Sequence, residues 1–112
     1  MKPEISDWLK QTEIIELVKK FKDKLNNINL NEIILFGSYA KNSQHENSDI
    51  DLIIVSDDFK GKKSFKRAND LYLNWDEDVS VDFICLTNEE LENKRNQIGI
   101  ISQALKEGII IK

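Results

Sequence analysis

Apolar residues recur along the first part of the chain at Ile14, Val18, Phe21, Leu25 and Ile28, in steps of four, three, four and three. Such steps keep side chains on one stripe of a helix. Lys19, Lys20, Lys22 and Lys24 fall largely outside that stripe. The pattern predicts an amphipathic helix with a stop at Asn26-Asn27. The period then changes. Glu32-Ile33-Ile34-Leu35-Phe36 is a short β-rich run closed by Gly37, and its near-continuous apolar character predicts a central strand buried on both faces. A polar loop runs from Asn42 to Ser48, and a second strand from Ile50 to Val55, closed by Ser56-Asp57-Asp58.

Helical spacing returns from Ser64 to Asn74, with Phe65, Ala68, Leu71 and Tyr72 at compatible positions. Trp75-Asp76-Glu77-Asp78 reads as a turn into a third strand, Val79 to Leu86. Thr87 and Glu90 have the spacing of a capping box, so helix follows, with a break near Gly99. Gly108 is expected to stop the last helix as a C-terminal glycine, and Ile109-Ile110-Ile111 to add a short final strand. The expected class is α+β, a small mixed β-sheet covered by helices.

Composition narrows the options. The 112 residues match one compact domain spanning 1–112. Apolar residues at 40% and charged residues at 32% are ordinary for a soluble globular protein. No apolar run reaches the roughly 18 residues of a membrane span, and Met1-Lys2-Pro3-Glu4 does not open a signal peptide. Cys85 is the only cysteine and lies in an apolar run, so a buried, inert thiol is expected. Together these suggest a cytoplasmic location. The net charge of −4 disfavours broad attraction to nucleic acid. Lys60, Lys62, Lys63, Lys66 and Arg67 crowd into eight positions. They read either as a solvated loop and first helical turn or as a patch that meets phosphate or an acidic partner.

Two strands carry residues that their hydrophobic pattern does not explain. Asp49 and Asp51 point the same way, about 6.5 Å apart along the second strand. Asp82 takes the face opposite to Val79, Val81 and Phe83 on the third. A carboxylate in such a strand needs a partner, a metal or a raised pKa, and neither strand contains a lysine or arginine. If the strands are neighbours, three carboxylates converge. Oxygen-only ligands of this kind suit Mg²⁺ or Mn²⁺, held as a pair about 3.5–4 Å apart for phosphoryl or nucleotidyl transfer. Gly37-Ser38 follows the first strand directly. Glycine lets a phosphate approach the backbone, and Ser38 offers a hydroxyl at the start of a short helix.

Gly37-Ser38-Tyr39-Ala40-Lys41 followed by Ser48-Asp49-Ile50-Asp51-Leu52 resembles the signature of the DNA polymerase beta-like nucleotidyltransferases, specifically the minimal nucleotidyltransferase (MNT) group. The resemblance extends to Asp82 and to the closing Ile109-Ile110-Ile111. It implies that Gly37 and Ser38 hold the nucleotide's phosphates. Asp49 and Asp51 would bind the catalytic ions, and Asp82 would bind one ion and help deprotonate the attacking hydroxyl. Family members often carry Arg-Gly where this chain has Lys41-Asn42. Lysine keeps the charge but loses the bidentate fork, so Lys41 is either a phosphate ligand or a solvated lysine. His45, alone in the polar loop, has no visible partner.

The resemblance further implies ATP as substrate. Small proteins of this type resemble the antitoxin half of MNT–HEPN toxin–antitoxin pairs, in which AMP is added to a tyrosine of the HEPN toxin. Two alternatives stand beside that expectation. One is a non-catalytic antitoxin that acts by binding; the other is a homodimer transferring a nucleotide to a small molecule such as an aminoglycoside. Trp8, Trp75 and Tyr72 are available to an interface or to the core.

Overall fold

The computed structural model describes residues 9–45 and 48–112; Trp8 lies outside them. Helix α1 spans Gln11–Lys24, strand β1 Glu32–Phe36 and strand β2 Ile50–Val55. A 3-10 turn, Asp57–Phe59, leads into helix α2, Ser64–Asn74. Strand β3 (Val81–Leu86), helix α3 (Asn88–Arg95), helix α4 (Ile100–Glu107) and strand β4 (Ile109–Ile111) complete the order. The sheet order is β3-β2-β1-β4. β1 runs antiparallel to both β2 and β4, while β2 and β3 are parallel. The mixed sheet follows from chain connection: α2 is the crossover that returns the chain parallel to β2.

Helices cover both faces. Ile14, Val18 and Phe21 of α1 and Leu71 of α2 pack with Ile33, Leu35, Leu52 and Ile54. On the other face Leu91 of α3 and Ile101 and Ala104 of α4 pack with Ile34, Phe36, Ile53 and Val55. β1 is thus buried on both sides, as its apolar run predicts. Among the described residues no helix is long and apolar enough to cross a membrane.

The structure corrects several boundaries. α1 ends at Lys24, so Leu25 caps it and Ile28 packs from outside the helix. β3 begins two residues later than expected, at Val81, and the preceding turn is pinned by the Trp75 indole donating to the Val79 carbonyl at 2.8 Å. The helix after β3 does break, giving α3 and α4. Thr87 and Glu90 form the expected capping box. Gly108 is extended (φ −79°, ψ 168°) rather than left-handed. Glycine is needed there for space: a Cβ would overlap the Ala104 carbonyl oxygen and come within 2.8 Å of the Ile34 side chain.

The α2 stripe is also different. Phe65 is exposed and Arg67 is buried. Arg67 leaves the basic cluster and bonds inward, donating to Glu90 Oε1 at 2.6 Å and Oε2 at 3.1 Å. It also donates to the Cys85 carbonyl at 3.0 Å and the Lys62 carbonyl at 2.8 Å. This one guanidinium ties α2, β3, α3 and the loop before α2 together. Cys85 is buried, and burial pushes its thiol up to about 11, which fits an inert side chain. Trp75 packs edge-on against Phe21 with centroids 5.3 Å apart, so its place is the core.

Candidate active site

Strand alternation sends Ile50, Leu52 and Ile54 toward α1 and α2, and Asp51, Ile53 and Val55 toward α3 and α4. β3 divides likewise, with Val81 and Cys85 on the first face and Leu86 on the second, so Asp82 shares the face of Leu86. The register pairs Phe36 with Asp51 and Asp51 with Asp82. Paired residues share a face, so Phe36, Asp51 and Asp82 form one row across three strands. Asp51 is on an inner strand and half-buried, whereas Asp82 is on the edge strand and exposed. Asp49 precedes β2 and is exposed. Burial, then the charges of Asp82 and Asp49, push the Asp51 carboxyl up to about 6. Asp82 and Asp49 therefore both lie close enough for their charges to act on Asp51.

Gly37 stands at the end of this row with φ +77°, a conformation that costs an L side chain about 1–2 kcal/mol. An added Cβ would also collide with the Asp51 carboxylate. Glycine is fixed here twice, by its backbone and by its neighbour. Gly37→Ala is expected to destabilise the protein by about 1–2 kcal/mol and to displace Asp51. A denaturant melt and a transfer assay check it; wild-type values in both would refute the packing argument.

The expected short helix after Gly37 is a single turn. The Gly37 carbonyl accepts from Ala40 and Lys41, at 3.1 and 3.2 Å, and the Ser38 carbonyl accepts from Ser43 at 2.9 Å. Asn42 closes the turn at φ +57°. Asparagine tolerates that region better than other residues with a side chain, which suits it to this position. Sequence reasoning missed Gln11: its amide donates to the Tyr39 and Ala40 carbonyls at 2.8 and 3.0 Å, fastening the turn to α1.

A cleft of about 410 Å³ opens over the carboxylate row, bringing Gly37, Lys41, Asp51 and Asp82 together against α4. Ser38 and Asp49 are not part of its lining. Phe36, Ile84, Ile100 and Ala104 form its apolar side, and Gln103 and Glu107 its polar rim. These α4 residues left no motif in the sequence. Lys41 Nζ lies 3.2 Å from Glu107 Oε1. His45 is exposed in the loop after this turn. Among the described residues, no three histidine, cysteine, aspartate or glutamate side chains already close on a single metal-binding point. The donor chemistry still fits a hard cation: Asp51 and Asp82 are paired in register on neighbouring strands, Asp49 is two residues from Asp51 and exposed, and burial followed by the charges of Asp82 and Asp49 raises the Asp51 carboxyl.

Over 46 residues the chain is 46% identical to a protein of Methanocaldococcus jannaschii that carries the inferred name of a protein adenylyltransferase. The match takes in 38% of this chain and spans about half the relative's length, 46%. A crystal structure of an inferred nucleotidyltransferase from Sulfolobus solfataricus shares the fold, with TM-score 0.57, 22% identity, and coverage of 89% of this chain and 77% of that one. A toxin–antitoxin crystal structure with AMP-PNP matches with TM-score 0.52 and 26% identity, over 93% of this chain and 73% of that one. A family model described as the nucleotidyltransferase domain matches residues 14–111, from α1 through β4 and across the whole carboxylate row, and the chain belongs to that family.

Proposed function

We propose that this chain transfers AMP from ATP to a tyrosine of a partner protein, a HEPN-type toxin that it silences, and that it works as a single domain. The observation that carries the reading is the in-register pair of Asp51 and Asp82 beside Gly37. The inferred adenylyltransferase and the toxin–antitoxin structure with AMP-PNP, both similar to this chain, support the choice of nucleotide and of a protein acceptor.

In this reading Gly37 and the turn after it receive the triphosphate, with the Ser38 hydroxyl and the Lys41 ammonium as donors. Asp49, Asp51 and Asp82 would hold Mg²⁺ or Mn²⁺, which when bound supplies positive charge against the triphosphate. The acceptor oxygen attacks the α-phosphorus, the bond to the β-phosphate oxygen breaks, and pyrophosphate leaves. Asp82, on the exposed edge strand, is the carboxylate that an incoming hydroxyl reaches, and it takes the proton. The single turn after Gly37, fastened by Gln11 at the Tyr39 and Ala40 carbonyls, holds the backbone of the phosphate loop in shape before the substrate arrives.

The test combines the protein with Mg²⁺, ATP labelled at the α-phosphate, and the product of the adjacent gene. Label is expected on a tyrosine of that product and is expected to vanish with Asp49→Asn or Asp51→Asn. Label that survives both substitutions would refute the site. Neutralisation of the partner without label would mean a non-catalytic antitoxin, and label on an aminoglycoside would mean a small-molecule enzyme.

A further inference from the structure

Glu107 occupies an unusual place for an acid. It ends α4, where the helix dipole disfavours negative charge and favours cations. Its two carboxylate oxygens are engaged separately. Oε1 lies 3.2 Å from Lys41 Nζ, and Oε2 accepts from the Gln103 amide at 3.4 Å. All three side chains line the cleft above Asp51 and Asp82. Lys41 is the cation of that lining among the described residues, and the other charged groups there are carboxylates.

We propose that Glu107 is a positioning residue that acts as a latch, holding the Lys41 ammonium at the cleft mouth until a nucleotide's phosphates displace it. This inference rests on the nucleotide-binding reading of the cleft and adds a regulatory exchange to it. A triphosphate entering between Gly37 and the carboxylate row needs the nearest cation, and it obtains Lys41 by substituting for Glu107. The exchange is physically accessible because the ion pair is weak: both side chains are about half exposed (50% and 43%), and such pairs are readily broken by a multiply charged competitor. Release of Lys41 also frees the last turn of α4 from the loop that follows Gly37. Nucleotide occupancy is thereby communicated to the helix whose Ile100 and Ala104 form the apolar side of the cleft.

A double-mutant cycle on the full chain tests the latch, with AMP-PNP and Mg²⁺ as the probe and titration calorimetry as the readout. Glu107→Gln is expected to tighten binding about two- to fivefold, the range expected on release from an exposed ion pair. Lys41→Ala is expected to weaken binding. Adding Glu107→Gln to Lys41→Ala is expected to change nothing further, because no latched ammonium remains to release. Thermal melts confirm that each variant is folded, and coupling between the two sites is the readout that a merely structural contact would not produce. The latch is overturned if Glu107→Gln tightens binding equally with and without Lys41, which is a general field effect. It is also overturned if Glu107→Gln leaves affinity unchanged or weakens it. Absence of AMP-PNP binding by the wild-type chain would overturn the nucleotide reading and the latch together, whereas binding without coupling overturns the latch alone.

Discussion

Asp51→Asn is expected to lower nucleotidyl transfer by about a thousandfold while making the ion-free protein more stable at neutral pH. The two effects have one cause. Asp51 is half-buried on an inner strand beside two other carboxylates, an arrangement that is unfavourable until positive charge arrives. Its carboxyl is raised from 3.8 to about 6, so the folded state holds this proton more tightly than the unfolded chain does. The stability contributed by that proton is fully present below about 3.8 and is lost as pH rises through about 6. In chelator, wild-type melting temperature should therefore rise as pH falls from 7 toward 5. Asp51→Asn should flatten that limb and melt higher at pH 7. Added Mg²⁺ should stabilise the wild type more than the variant. Initial rates of label transfer and melts in chelator measure both halves. A variant that transfers AMP normally, or melts lower than wild type at pH 7 in chelator, would contradict the account.

Arg67→Ala is expected to destabilise the protein by about 3 kcal/mol, with little direct effect on the cleft. The substitution removes two bonds to Glu90 and strands the Cys85 and Lys62 carbonyls. Glu90 is partly exposed, which lets water take back some of the loss and holds the figure below the largest values for buried pairs. Arg67→Lys keeps the charge but not the fork and should fall between. The bonds from Arg67, with those from Thr87, hold the Glu90 carboxyl down at about 2, against an ordinary 4.5. The stability this confers is present above about 4.5 and is lost as pH falls toward 2, so the gap between wild type and Arg67→Ala should narrow in acid. Urea melts at pH 7 and at pH 3.5 test this. A midpoint unchanged at pH 7 would show that the buried guanidinium is not the tie it resembles.

Much of the site was legible because its residues break a pattern. Asp51 and Asp82 are carboxylates that interrupt otherwise apolar strands, and Gly37 closes an apolar strand. Those interruptions of apolar runs are local and survive in one dimension. Arg67 shows the opposite case: among Lys60, Lys62, Lys63 and Lys66 it looks like one more surface cation. Its partner, Glu90, is far along the chain and is already explained by its capping box with Thr87. Phe65 has helical spacing suited to burial, yet α2 presents Arg67 and Leu71 inward instead. A rotation of that helix about its axis leaves the spacing unchanged, so periodicity alone could not choose between the two faces.

The sequence by itself determined the order of elements, the carboxylates set into apolar strands and the backbone freedom at Gly37, because each depends on residue type and on separations of a few positions. Tertiary structure alone decided that β2 and β3 are parallel neighbours in the register that sets Asp51 beside Asp82, and that α4 brings Gln103 and Glu107 over them. Register and helix placement are collective outcomes of packing both sheet faces at once. A one-residue slip of β3 would turn Asp82 toward α1 and α2 without changing a single letter of the chain.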